Sequence, residues 1–171
     1  MFSKINVYAV VRAHFRTLKN TSQSRASKAQ VAQFLLLPLI FAVVLAYLRV
    51  NVPSVSVGAL LAAAAVFGGL LFNLLVIMFD VADREPPGDL SGRVWRAFLI
   101  ELNANVSFSV LTTLFMTALL VVLAVVGADN GLAIRLVSFA FWFVSGLFAL
   151  TLLMIVKRVN VVFTSQLKER G

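Results

Sequence analysis

Polar side chains recur along one strongly apolar stretch of the sequence, between Ala97 and Val126. Five of them stand at every fourth position, so on an α-helix they follow one another along the axis over about 24 Å. Each step of four also moves the side chain by about 40° around the helix. Such a row could line a water-filled path, or it could pack along a ridge against a neighbouring helix. Its members are Glu101, Asn105, Ser109, Thr113 and Thr117.

A second polar pair, Asn73 and Asp80, lies seven residues apart in another apolar stretch and so shares one helical face. If the two stretches run antiparallel across a membrane, Asp80 and Glu101 lie near the same depth, with Asn73 and Asn105 further in. Polar groups inside a membrane are costly and mark functional sites. In a symmetric oligomer the acids would form rings that favour cations. The sequence therefore predicts a pore lined by Asn73, Asp80, Glu101, Asn105, Ser109, Thr113 and Thr117.

A structural interpretation of the same residues stays open. Serine and threonine hydroxyls commonly bond to the carbonyl four residues earlier or join neighbouring helices. Asp80 could form an exposed pair with Arg84, one turn further along the helix. Glu101 could instead form a buried pair with Lys157, Arg158 or Arg93.

The composition requires that these residues belong to membrane-spanning elements. Of the 171 residues, 61% are hydrophobic and 13% are charged, and the mean hydropathy is +0.98. Too few charges remain to cover a water-soluble globule. Four apolar stretches reach the length of about 20 residues that a crossing requires. They run from Val31 to Val50, from Val55 to Phe79, from Ala97 to Val126 and from Leu132 to Val156.

The predicted fold is an all-α polytopic membrane protein with four transmembrane helices, preceded by an amphipathic helix. Short connections at positions 49–54 and 127–131 predict that the helices form two helical hairpins. Residues 1–30 are assigned to a cytoplasmic basic helix and linker, 31–156 to the transmembrane domain, and 157–171 to a cytoplasmic helical tail. A homo-oligomer is expected, and small residues at spacings of four in the second span allow close helix approach either within the protomer or between protomers.

The 15 basic residues, against seven acids, are distributed unevenly. Thirteen lie in the N-terminal segment, the central loop and the tail, whereas only Arg49 and Arg135 fall on the opposite side. The positive-inside rule then places both termini in the cytoplasm.

The N-terminal segment from Ser3 to Lys19 has apolar residues at helical spacing, namely Ile5, Tyr8, Val11, Phe15 and Leu18. Such a basic amphipathic helix can lie in the inner headgroup layer and bind anionic lipid. Alternatively, its cations could bind a cytoplasmic polyanion such as an oligonucleotide. The candidate binding residues are Lys4, Arg12, Arg16, Lys19, Arg25 and Lys28.

Catalytic chemistry has little support in this sequence. The absence of cysteine excludes thiolate metal sites and cysteine nucleophiles, and a single histidine, His14, excludes multi-histidine metal sites. No pairing of a base with a nucleophile is visible. The sequence predicts neither an enzyme nor a bound metal or cofactor.

Two strings of the sequence resemble small four-span bacterial membrane proteins of antiphage defence. One runs from Gly68 to Leu75 and on to Phe79 and Asp80, and the other runs from Glu101 to Ser109. They resemble the channel component of the Hailong type, and the Kiwa-type membrane component is a second candidate. The resemblance implies an oligomeric ion channel, by analogy a tetramer, that acts as a toxin-like effector. Its opening would stop the growth of an infected cell, and an oligonucleotide made by a partner would hold it shut.

Two functions from different classes follow. The first is a homo-oligomeric, cation-preferring channel. The second is a non-conducting membrane anchor or sensor that recruits a cytoplasmic partner protein, in which case the polar row of the third span only joins helices.

Overall fold

A computed structural model of the protein describes residues 7–18, 24–83, 90–126 and 131–170, all of them helical or in short connections. Within these residues there are five α-helices. In chain order they are α1 (Val7–Thr17), α2 (Ser24–Tyr47), α3 (Ser54–Asp83), α4 (Leu90–Val126) and α5 (Gly131–Arg170).

Four of these helices are long and apolar enough to cross a membrane. Their candidate spans are Ala29–Tyr47, Val55–Ala82, Trp95–Val125 and Gly131–Asn160. The prediction of an all-helical chain with four such segments is confirmed. Most residues of each span are not fully buried, because at most 33% of the residues in its apolar window are buried within the protein.

The helices pack in the order α2, α5, α4, α3, and α1 packs against α4. The short connection joins α2 to α3, but among the described residues the helix that α2 packs against is α5. These contacts therefore do not show α2 and α3, the first predicted hairpin, as a packed pair. Helices α4 and α5, the second predicted hairpin, do pack against each other.

Close packing of α2 on α5 depends on Gly146. A Cβ atom at this position would lie 2.9 Å from the Cβ of Pro38 and 3.1 Å from its Cα. Pro38 stands inside α2 and is completely buried. Glycine thus allows the backbone of α5 to approach the proline, as small residues do at membrane helix interfaces.

Helix α1 is a packed element of the fold. Val10, Val11, Phe15 and Leu18 contact a core cluster formed by Phe34 of α2, Phe108 of α4 and Leu147 of α5. The predicted apolar stripe is correct for Val11, Phe15 and Leu18, but Tyr8 is exposed and Ile5 lies outside the described residues. The only completely buried residue of α1 is His14.

Candidate functional site

The polar row of α4 lies mainly inside the protein. Asn105 and Ser109 are completely buried, Thr113 is buried and Thr117 is half-buried, while Glu101 is exposed. The row faces the other helices because α4 is the central helix, in contact with α1, α3 and α5.

The threonines of the row bond to their own helix. Thr113 Oγ1 donates to the carbonyl oxygen of Ser109 at 2.9 Å, and Thr117 Oγ1 donates to that of Thr113 at 2.9 Å. The neighbouring Thr112 hydroxyl lies 3.1 Å from the carbonyl oxygen of Phe108 and 2.9 Å from that of Ser109. This is the backbone bonding that lets hydroxyls occupy apolar surroundings. The structural interpretation therefore accounts for both threonines of the row within one protomer.

Asn105 connects α4 to α1. Its Oδ1 accepts a hydrogen bond from His14 Nδ1 at 2.9 Å. The Thr17 hydroxyl lies 3.0 Å from the same oxygen and 2.7 Å from the carbonyl oxygen of His14. A buried amide needs such partners, because an unbonded polar group in apolar surroundings is costly. Asn105 is thus the polar contact that holds α1 on α4.

Aromatic rings enclose the imidazole of His14. It stacks on Phe108 with ring centroids 4.0 Å apart and an interplanar angle of 5°. Phe15 and Phe34 stand at its edges, at centroid distances of 5.5 Å and 5.1 Å. Burial lowers the pKa of His14 from 6.5 to about 4; the hydrogen bond to Asn105 opposes this shift, and the nearby Arg158 adds to it. The imidazole is therefore neutral at pH 7.

Glu101 forms a salt bridge with α5. Arg158 Nη1 donates to Glu101 Oε2 at 2.5 Å, and Arg158 Nη2 donates to the carbonyl oxygen of Thr17 at 2.8 Å. One guanidinium thus joins the C-terminal end of α1 to both α4 and α5. Arg158 is one of the partners that the structural interpretation named for Glu101, but the pair is not the buried one expected, because the Glu101 side chain is 51% exposed.

Three buried side-chain atoms where α1 packs on α4 and along the adjoining polar row have no hydrogen-bond partner among the described residues. They are His14 Nε2, Asn105 Nδ2 and Ser109 Oγ. Buried polar atoms are usually bonded, so these atoms retain the capacity to bind a further group. We refer to His14, Thr17, Glu101, Asn105 and Arg158 below as the α1 seat.

Asn73 and Asp80 have the opposite environment. Both are exposed on α3, whose buried face carries Ala64, Leu71 and Met78. The structure does not join Asn73 to Asn105, because Asn105 is buried against α1. The matching depth predicted for the two pairs stays a prediction.

The small residues of α3 divide between two faces. Ala64 is buried, and a Cβ atom on Gly68 would lie 3.4 Å from Thr113 Cγ2, so this pair faces α4. Ala62, Ala65 and Gly69 are exposed, as is Gly58. An added Cβ would meet nothing within 4 Å at Gly58 or Gly69. The exposed small residues thus leave room for another helix to approach the α3 face that carries Asn73.

The basic candidates are described only in part. Arg12 and Arg16 are exposed on α1. Lys4 and Lys19 lie outside the described residues, as do the side chains of Arg25 and Lys28. Binding of lipid or of a polyanion by these cations stays a prediction.

Sequence reasoning missed two residues of the α1 seat, His14 and Thr17, and named Arg158 only as one of three possible partners of Glu101. A signal for His14 was present, because it stands three residues after Val11 and four before Leu18, on the apolar face of α1. A histidine on such a face requires a buried partner. The partner itself could not be read from the sequence, since Asn105 lies 91 residues away.

Fold and site together define a class: an all-helical chain with four helices that could span a membrane and a buried polar cluster that seats its first helix. The described residues contain no group of three or more His, Cys, Asp or Glu side chains that could hold a metal ion. No family model, curated protein or solved structure matches the chain.

Proposed function

We propose that this protein is a homo-oligomeric, cation-preferring membrane channel whose path lies beside the exposed face of α3. The proposal rests on the environment of the Asn73 side chain. Its side chain is exposed in the middle of a candidate span and has no hydrogen bond to the described residues. Lipid cannot hydrogen-bond a carboxamide, so this position favours contact with a second copy or with water.

The surroundings of Asn73 support assembly. The exposed small residues on α3 allow close approach of another helix, and an amide on such a face can bond across the interface. The same face carries Asp80 near the end of its span. Repeated around a symmetry axis, Asp80 would form an acidic ring of the kind that favours cations.

In this proposal the polar row of α4 has two roles. Ser109, Thr113 and Thr117 stabilise the inside of each protomer, Asn105 binds α1, and Glu101 pairs with Arg158, which bonds to the end of α1. The seven pore candidates therefore fall into two groups. Asn73 and Asp80 lie along the path, and the five α4 residues stabilise the protomer whose α3 face borders it. The path runs between protomers, because the α4 row is covered within one protomer.

Helix α1 is suited to act as the gate of this channel. It presents Arg12 and Arg16 outward while its opposite side is bound to α4 and α5. A cytoplasmic polyanion that binds these cations could fix or displace α1, and affinity for such a ligand would fall with salt. With the resemblance to small four-span membrane proteins of antiphage defence, the full proposal is an oligonucleotide-gated, growth-arresting effector in the bacterial inner membrane, with cytoplasmic termini and four protomers.

The second candidate is a non-conducting anchor or sensor that recruits a cytoplasmic protein. One observation favours it: the threonines, Asn105 and Glu101 are all bonded within a single protomer, as structural residues would be. In this case α1 and the long helix α5 present the binding surface.

One experiment separates the two candidates. The gene is induced alone in a bacterial host, and a potential-sensitive dye is followed together with growth. A channel without its inhibitory ligand depolarises the cells and stops growth, and the Asn73→Leu variant abolishes both effects at equal expression. Cells that stay polarised while the purified protein also carries no current in planar bilayers would contradict the channel.

A further inference from the structure

A second polar site lies at the other end of the molecule, where α2 ends and α5 begins. A pocket of about 320 Å³ opens there between the connection from α2 to α3 and the first turns of α5. Its polar lining includes two arginines, an amide and a hydroxyl, and its aromatic lining includes tyrosine and tryptophan. These residues are Tyr47, Arg49, Asn51, Arg135, Ser138 and Trp142.

Hydrogen bonds fix the backbone that forms the wall of the pocket. Helix α2 ends in a Schellman motif, in which Val50 N donates to the carbonyl oxygen of Leu45 at 2.9 Å and Arg49 N donates to that of Ala46 at 3.0 Å. Helix α5 holds the following residues in place. Trp142 Nε1 donates to the carbonyl oxygen of Val50 at 3.2 Å, and the Ser138 hydroxyl accepts from Val52 N at 3.2 Å.

Arg49 occupies the position of the motif that glycine normally takes. Its φ is 55°, the one left-handed value at a non-glycine residue in the described part of the chain. A side chain with a Cβ is disfavoured in this region. Arginine here therefore points to a use for the side chain that outweighs the backbone cost.

The pocket carries an excess of positive charge. The side chains of Arg49 and Arg135 make no ion pair or hydrogen bond to the described residues, and none of the described residues that line the pocket is acidic. Arg135 stands near the N-terminal end of α5, where the helix dipole also disfavours a cation. An anion between the two guanidiniums would offset both the excess positive charge and the unfavourable interaction of Arg135 with the helix dipole. The paired N–H groups of a guanidinium also match the geometry of a phosphate.

We propose that this pocket binds the phosphate group of an anionic phospholipid, with Arg49 and Arg135 as its ligands. Tyr47 and Trp142 border it as residues of the membrane interface do, with an apolar ring and a polar tip. The two arginines are the cations that the sequence places on the side opposite the termini. The site does not depend on the channel proposal, because it lies on another part of the molecule.

Lipid binding to the purified full chain in detergent tests this site. Native mass spectrometry is recorded during titration with phosphatidylglycerol and, separately, with phosphatidylcholine of the same acyl chains. We expect preferential retention of phosphatidylglycerol, weakened about tenfold in R49Q and in R135Q. K157Q is the matched control, because it removes an exposed cation from the opposite part of α5 and should leave retention unchanged.

A further variant and a further ligand separate loss of the site from loss of folding and lipid from free phosphate. R49G removes the charge and relieves the left-handed backbone, so it should lose the lipid while melting no lower than the wild type. Inorganic phosphate at millimolar concentration tests a free anion as the ligand. Equal retention of both lipids, retention unchanged in R49Q and R135Q, or binding of inorganic phosphate without lipid preference would overturn the proposal.

Discussion

The polar residues of α4 and those of α3 have similar chemistry and opposite surroundings. Asn105 is completely buried and bonded to α1, whereas Asn73 is exposed and has no side-chain hydrogen bond within the described residues. The difference arises from packing, because α4 has neighbours on three helices and α3 packs extensively on α4 alone among the described helices.

This contrast separates two uses of a membrane amide. On α4 the amide specifies a contact inside the protomer, and its removal should harm folding. On α3 the amide faces outward, and its removal should harm assembly or conduction while the protomer stays intact. The following changes test this division, from the largest expected effect to the smallest.

Acid should weaken the α1 seat through His14. The pKa of His14 is lowered to about 4 in the folded protein, so between pH 6.5 and 4 the released helix binds more protons than the docked one. The stabilisation is complete above pH 6.5 and is lost as the pH falls through this range, by roughly 3 kcal/mol in total. A fluorophore on Y8C, an exposed position of α1, reports the release.

Two variants control this measurement. H14Q should remove the pH dependence in this range, while E101Q should keep it, although Glu101 lies in the same seat. A transition that persists unchanged in H14Q would show that another group controls the docking of α1.

Replacing Asn105 by Leu should destabilise the protomer by about 2 kcal/mol, because His14 and Thr17 lose their shared acceptor inside the protein. N73L is the matched variant on α3. It should leave the melting temperature of the protomer unchanged and reduce the oligomer mass measured by light scattering. Equal losses of thermal stability in both variants would remove the distinction between the two helices.

Replacing Arg158 by Gln should cost about 1 kcal/mol, since both the Glu101 bond and the bond to the Thr17 carbonyl are lost. E101Q should cost less, because it removes only a partly exposed ion pair. Denaturant unfolding in detergent compares the two variants. A larger loss in E101Q would mean that the Thr17 contact contributes little.

Replacing Thr113 by Val should have the smallest effect, below about 0.5 kcal/mol, because its hydroxyl bonds only to its own helix and the isosteric side chain still fills the space beside Gly68. Conduction in planar bilayers should also stay unchanged. Loss of current in T113V would show instead that the α4 row faces water.

The sequence predicted the spans well and the seat poorly, for physical reasons. Span length and hydropathy are local properties, so the four segments could be located to within a few residues. The fourfold spacing on α4 identified residues that share a ridge, but spacing alone does not tell a ridge that faces a partner helix from one that faces water. Glu101 and Arg158 were recognised as a possible pair because both stand near the same membrane face.

The role of α1 could not be predicted in the same way. Its pattern fits a helix on a lipid surface as well as a helix packed on protein. Only the tertiary contacts of His14 with Asn105 and Phe108 distinguish the two. Likewise, the exposure of Asn73 depends on how α3 is rotated against α4, which a uniformly apolar helix does not encode.

The central claim is that water and ions pass along the exposed face of α3, and cysteine accessibility tests it most directly. The chain contains no cysteine, so each single variant carries one thiol. Charged methanethiosulfonate reagents modify thiolates that contact water. Applied to channels in planar bilayers, they should change the current of N73C and D80C and leave that of L37C, an exposed apolar position on α2 outside the proposed path, unaffected. Current that flows through N73C and D80C without any response to the reagents would contradict the account.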